Sequence, residues 1–190
     1  NDLKNGIWTY ALPSVWTGVQ TCYAHLAADV QSRYHVPIEK IGAIGISAMM
    51  HGYLPFDREG KQLAEFRTWR NNMTSAAAAI LTDKLKFNIP QRWSIAHLYQ
   101  ALLNGEEHVK ALDFFTTLAG YVHWQLSGEK VLGIGDASGM FPIDEKTGSY
   151  DTDMLAAFSV LPEVKACPWQ IENILPHVLR AGESAGRLTP

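Results

Sequence analysis

Cysteine is nearly absent: Cys22 and Cys167 are the only two, far apart and in no Cys-x-x-Cys pair. A disulfide framework is therefore excluded, and a reducing compartment, the cytoplasm, is the expected home. Charge is also sparse, at 18% of residues with a formal net charge of −3. Lys and Arg are scattered and never run together, so the concentrated basic face needed by a nucleic acid or an anionic membrane is missing. No apolar run approaches the roughly 18 residues of a membrane helix. The histidines fall in no His-Glu-x-x-His or Cys/His pattern, which removes a metal hydrolase. No Gly-Lys-Ser/Thr phosphate loop occurs. The opening Asn-Asp-Leu-Lys-Asn-Gly is neither a signal peptide nor an initiator Met, and reads as a start in mid-protein.

What is present is an ordinary globular balance: 190 residues, 47% of them hydrophobic. That suffices for one domain with a sizeable core or two small ones. Val15, Trp16, Val19, Tyr23, Leu26, Ala27 and Val30 recur at helical spacing. They predict a helix capped by Ser14, its apolar stripe facing a sheet, with Pro37 beyond its end. Ile41 to Ser47 is short, apolar and β-branched, and predicts a buried strand covered on both faces. Tyr53 to Asp57 and Leu63 to Trp69 flank the turn residues Asp57-Arg58-Glu59-Gly60 and predict a hairpin. Helices are expected over 74–85, 95–103, 116–126, 151–158 and 171–179, with Gly105 and Ser127-Gly128 as stops. Residues 131–144 read as a Gly-rich bend followed by an extended piece. Strands mixed with helices around an apolar strand give an α/β or α+β class.

The segment richest in chemical meaning is Ile44-Gly45-Ile46-Ser47-Ala48-Met49-Met50-His51-Gly52. Ligands of open α/β sheets bind outside the carboxyl ends of strands, and a strand that ends in small residues and then a histidine suits such a site. A neutral imidazole there donates to or accepts from a sugar hydroxyl, while Gly52 leaves room for a carbon chain. The competing reading makes His51 a satisfied boundary residue and the methionines core filler.

These residues resemble the FGGY family of carbohydrate kinases. Residues 41–57, with Gly60 and Trp69, are similar to the family's strand end, hairpin and tryptophan. Met50-His51-Gly52 is similar to the xylulokinase branch, in which Met and His contact the ketose; gluconate kinases of the family also carry Met-His near this point. In Trp69-Arg70-Asn71-Asn72-Met73 the chain departs from the family's Trp-x-Asp-x-Arg, with Asn71 at the Asp position and Met73 at the Arg position. The resemblance implies Met50, His51 and Asn71 as substrate-binding residues, Asn71 through an uncharged amide. An Asn-Asn cap for the following helix is the other reading of that pair. Leu126-Ser127-Gly128 and Asp136-Ala137-Ser138-Gly139 match a third family stretch, and residues 175–189 resemble the linker into its second domain. Asp136 reads either as a catalytic carboxylate or as an Asp that caps backbone N–H groups in a tight bend, and the cap is expected.

The resemblance implies an α/β, ribonuclease-H-like (actin-like ATPase) domain: a mixed sheet flanked by helices, lacking its first strands. Residues 1–182 would be a partial sugar-binding domain and 183–190 the start of a linker to an absent second domain. The implied activity is ATP-dependent phosphorylation of a ketose, a pentulose such as xylulose. The alternatives are a kinase for gluconate or another polyol acid, with Arg67 or Arg70 near the carboxylate, and a non-catalytic sugar-binding or interaction module on the same scaffold. ATP and Mg²⁺ belong to the intact enzyme, with their binding residues and the general base outside this chain. No catalytic or metal-ligating residue is assigned, and these residues alone are expected not to phosphorylate sugar. The partner is a small sugar, not nucleic acid or membrane. An apolar strand with an open edge invites association, so a marginally stable or self-associating chain, a homodimer among its forms, is expected.

Overall fold

The computed structural model describes residues 2–4 and 6–189; Pro190, the last residue of the expected linker, lies outside them. The chain opens on an antiparallel pair, β1 (Asp2–Lys4) and β2 (Ile7–Thr9), with Asp2 opposite Thr9. Helix α1 (Leu12–Tyr34) follows, starting three residues earlier than a cap at Ser14 predicts: Ala11 precedes it and Pro13 sits in its first turn, where the missing N–H costs nothing. It ends at His35 in the left-handed region, two residues before Pro37.

The expected buried strand over 41–47 does not form. Among the described residues, 36–51 donate and accept no main-chain hydrogen bonds, and Ile41 and Ile44 are 46% and 47% exposed. A strand is stable only with neighbours to take its N–H and C=O groups. No strand among the described residues runs beside this one, so water takes them instead. The stripe of α1 consequently finds no sheet to cover: Leu12 alone is buried, while Tyr23 and Leu26 lie open.

From Gly52 onward the chain packs densely. β3 (Leu54–Phe56) enters at Tyr53, which exchanges two hydrogen bonds with Arg67 (2.9 and 3.1 Å). The expected hairpin is present as this bridge and a second between Phe56 and Gln62, closed by a turn in which Gly60 donates to the Asp57 carbonyl. α2 (Ser75–Leu85) and α3 (Ser94–Leu103) lie where the periodicity puts them. A 3₁₀ turn over Glu107–Ala111 leads into β4 (Phe114–Thr116), the antiparallel partner of β3. α4 (Leu118–Ser127) is capped by the Thr117 hydroxyl, which accepts from Gly120 N–H, and closes on Gly128 at φ 78°.

β5 (Val131–Gly133) is followed by the single helical turn α5 (Ile134–Ala137). The short antiparallel pair β6 (Ile143–Asp144) and β7 (Ser149–Tyr150) comes next. Asp151 caps α6 (Thr152–Ser159) by accepting from Met154 N–H at 2.9 Å. After α7 (Pro162–Lys165), the helix expected over 171–179 stops early, as α8 (Ile171–Ile174). Pro176 forces Leu175 to extended backbone, ψ 148°, and the chain continues as β8 (His177–Leu179), parallel to β5.

The α/β class holds. In place of one mixed sheet, the described residues form four two-stranded ladders, three antiparallel and one parallel. The main core gathers Leu81, Ile95, Leu98, Phe115, Met140, Phe141, Phe158 and Ile171. A smaller aromatic cluster stacks Phe56 on Tyr121 (5.6 Å, 7°) with Trp124 edge-on at 5.1 Å.

Candidate functional site

Three separate stretches meet where the extended segment enters the core. Gly52 makes the entry at φ 116°; a Cβ there would stand 2.5 Å from the Arg67 carbonyl, so only glycine fits. The Gly52 carbonyl accepts the hydroxyl of Ser94, the first residue of α3. Ser94 N–H in turn donates to the Gly139 carbonyl at 3.3 Å, and Ile95 N–H to Met140 at 3.1 Å. The end of the Asp136–Gly139 motif is thus fastened to the start of α3, and α3 to Gly52.

Met50 and His51 lie against that junction. A Cβ on Gly139 would meet His51 Nδ1 at 2.6 Å, His51 Cε1 at 2.9 Å and the Met50 carbonyl at 2.9 Å. The Met-His-Gly and Asp-Ala-Ser-Gly motifs, far apart in sequence, are neighbours in space. The His51 ring is half-buried, and its Nδ1 is fully buried without a side-chain or main-chain bond of ordinary geometry. Burial pushes the imidazole below its usual range, the positive charge of Arg92 pushes the same way, and the Gly139 backbone opposes them. At neutral pH the ring is uncharged and therefore both donor and acceptor.

Asn71 is bound to the opening hairpin and is 5% exposed. Its Oδ1 accepts Trp8 N–H (2.9 Å), and its Nδ2 donates to the carbonyls of Trp8 (2.8 Å) and Thr68 (2.9 Å). One Oδ1 lone pair is left over. It does not cap α2; Thr74 precedes that helix, and its hydroxyl donates to the Gln91 carbonyl.

Both arginines weighed as carboxylate partners are already engaged. Arg67, buried, pairs with Glu106 and lies 5.5 Å from the centre of the Tyr53 ring. Arg70 stacks 4.0 Å from the centre of the Trp8 indole. Around Arg67, Tyr53 Oη and His108 Nε2 are 3.0 Å apart, and His108 Nδ1 is 3.4 Å from Glu106. Burial works to raise the Glu106 carboxyl, but the hydrogen bond and charge of Arg67 hold it below its usual range.

Asp136 corrects the expectation of a capping carboxylate. Its main-chain carbonyl accepts Gly139 N–H at 3.0 Å, while the side chain has no bonded partner among the described residues. Burial alone raises its carboxyl, which lines a cavity of about 480 Å³ with Gly133, Gly135, His123 and Arg180. Among the described residues no group of three His, Cys, Asp or Glu side chains is placed to hold a metal ion. Among the described residues no helix is long and apolar enough to cross a membrane.

Sequence reasoning did not find Ser94, which joins the two motifs. The Trp-Ser-Ile start of α3 carried a signal for Ser94.

The model of the FGGY family of carbohydrate kinases, N-terminal domain, matches residues 5–190. A xylulose kinase of Staphylococcus xylosus is 20% identical over 164 residues, which is 82% of this chain and 32% of that protein's length. The chain thus spans about a third of the curated relative it matches. A ligand-bound xylulose kinase from Lactobacillus acidophilus superposes with a TM-score of 0.74 at 18% identity, over 100% of this chain and 36% of the other. A gluconate kinase from Lactobacillus acidophilus superposes at 0.62, also at 18% identity, over 79% and 30%. At these identities the likeness fixes the fold, that of the actin-like ATPases.

Proposed function

Because the chain belongs to the FGGY family of carbohydrate kinases, we propose that it is the sugar-binding portion of an ATP-dependent kinase that phosphorylates a polyol. The Met50-His51 pair favours a ketose, a pentulose such as xylulose, and leaves a polyol acid such as gluconate as the second substrate type. The observation that carries the reading is the lodging of His51 against Gly139, which fixes an uncharged imidazole at the mouth of the core.

In this reading the ring exchanges hydrogen bonds with a sugar hydroxyl, and Met50 supplies an apolar wall for the carbon chain. Asn71 contributes through its remaining lone pair and through the hairpin it holds. ATP and Mg²⁺ enter the intact protein's reaction. The described residues offer neither a phosphate loop nor a carboxylate cluster to fit either group. A cytoplasmic location follows from the same reading.

The test is His51→Ala in the full-length protein. Losing one hydrogen bond should raise the KM for the sugar about tenfold with ATP affinity kept. Unchanged sugar kinetics would return His51 to a packing role.

A further inference from the structure

His51 is flanked by two glycines, Gly52 next to it in the chain and Gly139 against its ring. Glycine has the greatest backbone freedom of any residue and no side chain by which to be held. The ring also ends a stretch, residues 36–51, that makes no main-chain hydrogen bonds among the described residues. What fixes the imidazole must therefore act on the main chain at Gly52 and Gly139, and the start of α3 acts on both. A helix leaves its first N–H groups without intrahelical partners, and a serine at a helix start ordinarily accepts one of them with its own hydroxyl. At α3 these groups are turned outward. Trp93 precedes the helix without capping it. The N–H groups of Ser94 and Ile95 donate to the carbonyls of Gly139 and Met140 at 3.3 and 3.1 Å, and the Ser94 hydroxyl donates to the Gly52 carbonyl. Ser94 is fully buried, so water does not compete for these bonds, and Ile95 and Leu98 root the helix in the main core.

We infer that Ser94 is a positioning residue for sugar binding: without touching the ligand, it sets the spacing of the two main-chain segments that clasp His51, and so the direction in which the imidazole meets the sugar. With Nδ1 buried, the half-buried ring engages a hydroxyl through its Nε2 edge. A hydrogen bond weakens steeply as its angle departs from linear, so a ring that is present but swung aside binds poorly. The inference rests on the sugar-site reading above and names the residue that holds that site in register.

The experiment is steady-state kinetics on the full-length protein, with D-xylulose and D-gluconate, for wild type, Ser94→Ala, His51→Ala and the double variant. Ser94→Ala is expected to raise the KM for the sugar about fivefold with the KM for ATP kept, against about tenfold for His51→Ala. In the His51→Ala background it should add under about twofold, because no ring is left to position. Carbon NMR of labelled histidine, the His51 line identified by its loss in His51→Ala, reads the ring directly. A loosened clasp admits water, and the imidazole, held low by burial, should titrate closer to its ordinary range in Ser94→Ala. Where the alanine variant does not fold, Ser94→Cys, which fills similar space with a weaker donor, serves for the same comparison. An unchanged sugar KM, an unshifted His51 titration, or the same loss with and without His51 overturns the positioning role and leaves the sugar site standing. A wild type that turns over neither sugar, or a His51→Ala variant with an unchanged sugar KM, overturns the site reading and this inference together.

Discussion

His51 Nδ1 occupies space that a side chain on residue 139 would need, the two positions coming within 2.6 Å of each other if a Cβ is placed there. Gly139 is thus the seat of the imidazole. Gly139→Ala must displace the ring or the turn, at a cost of about 1–3 kcal/mol for overpacking. Chemical denaturation should show that loss, and sugar titration should show an affinity loss matching that of His51→Ala. A variant with wild-type affinity would mean the ring's position is not what binds.

Buried histidines set a pH dependence of stability. His51, His97 and His108 are all held below the usual range, by burial first in each case, with His97 lowered to about 3. Unfolded histidine titrates near 6.5, so below that pH the unfolded chain binds protons that the folded chain refuses. The contribution is complete above about 6.5 and is lost as pH falls. For His97 alone the loss at pH 5 is about 2 kcal/mol, or about 4–8 °C in Tm. His97→Leu should flatten the Tm profile between pH 7 and 5; an unaltered slope would contradict the assignment.

Asn71 secures the first hairpin to the body of the protein through Trp8. Asn71→Ala strips those bonds and should cost about 1–3 kcal/mol. Hydrogen exchange should show faster amides in β1 and β2, with protection in α2 and α3 unchanged. Uniform protection across the variant would place the anchor elsewhere.

The exposed apolar stretch around Ile41 and Ile44, with its main-chain groups unshared, is a template for another extended chain. Sedimentation velocity on these 190 residues should show concentration-dependent self-association, and Ile44→Lys should suppress it. A wild-type monomer across the accessible concentration range would count against an adhesive edge.

Helices α2, α3, α4 and α6 were legible in the sequence because each apolar stripe meets its partner within the chain. Gly128 as a stop was legible because capping is local chemistry, whereas Asp151, read as the first residue of its helix, is that helix's cap. Ile41 to Ser47 was misread for the opposite reason: its composition is that of a buried strand, but burial depends on neighbours that composition does not specify. The last helix was overextended by passing through Pro176, whose effect on Leu175 is strictly local. At the site, the two family-like motifs were readable one at a time; their contact is a property of the fold, made through Ser94.

Among the described residues, helix α1 is tied down at its beginning, by Leu12 and Val15 and by Trp16 Nε1, which donates to Tyr121 Oη at 3.0 Å. Beyond Val19 its turns rest on their own helical preference, and a free-standing run of that length is marginal in water. Heating should therefore melt this protein in two stages: a gradual fraying of the distal half of α1, seen as a sloping far-ultraviolet baseline, and then a sharp collapse of the core. Midpoints taken from helix content and from tryptophan emission would disagree, and the gap between them would measure how much of the chain stands outside the cooperative unit.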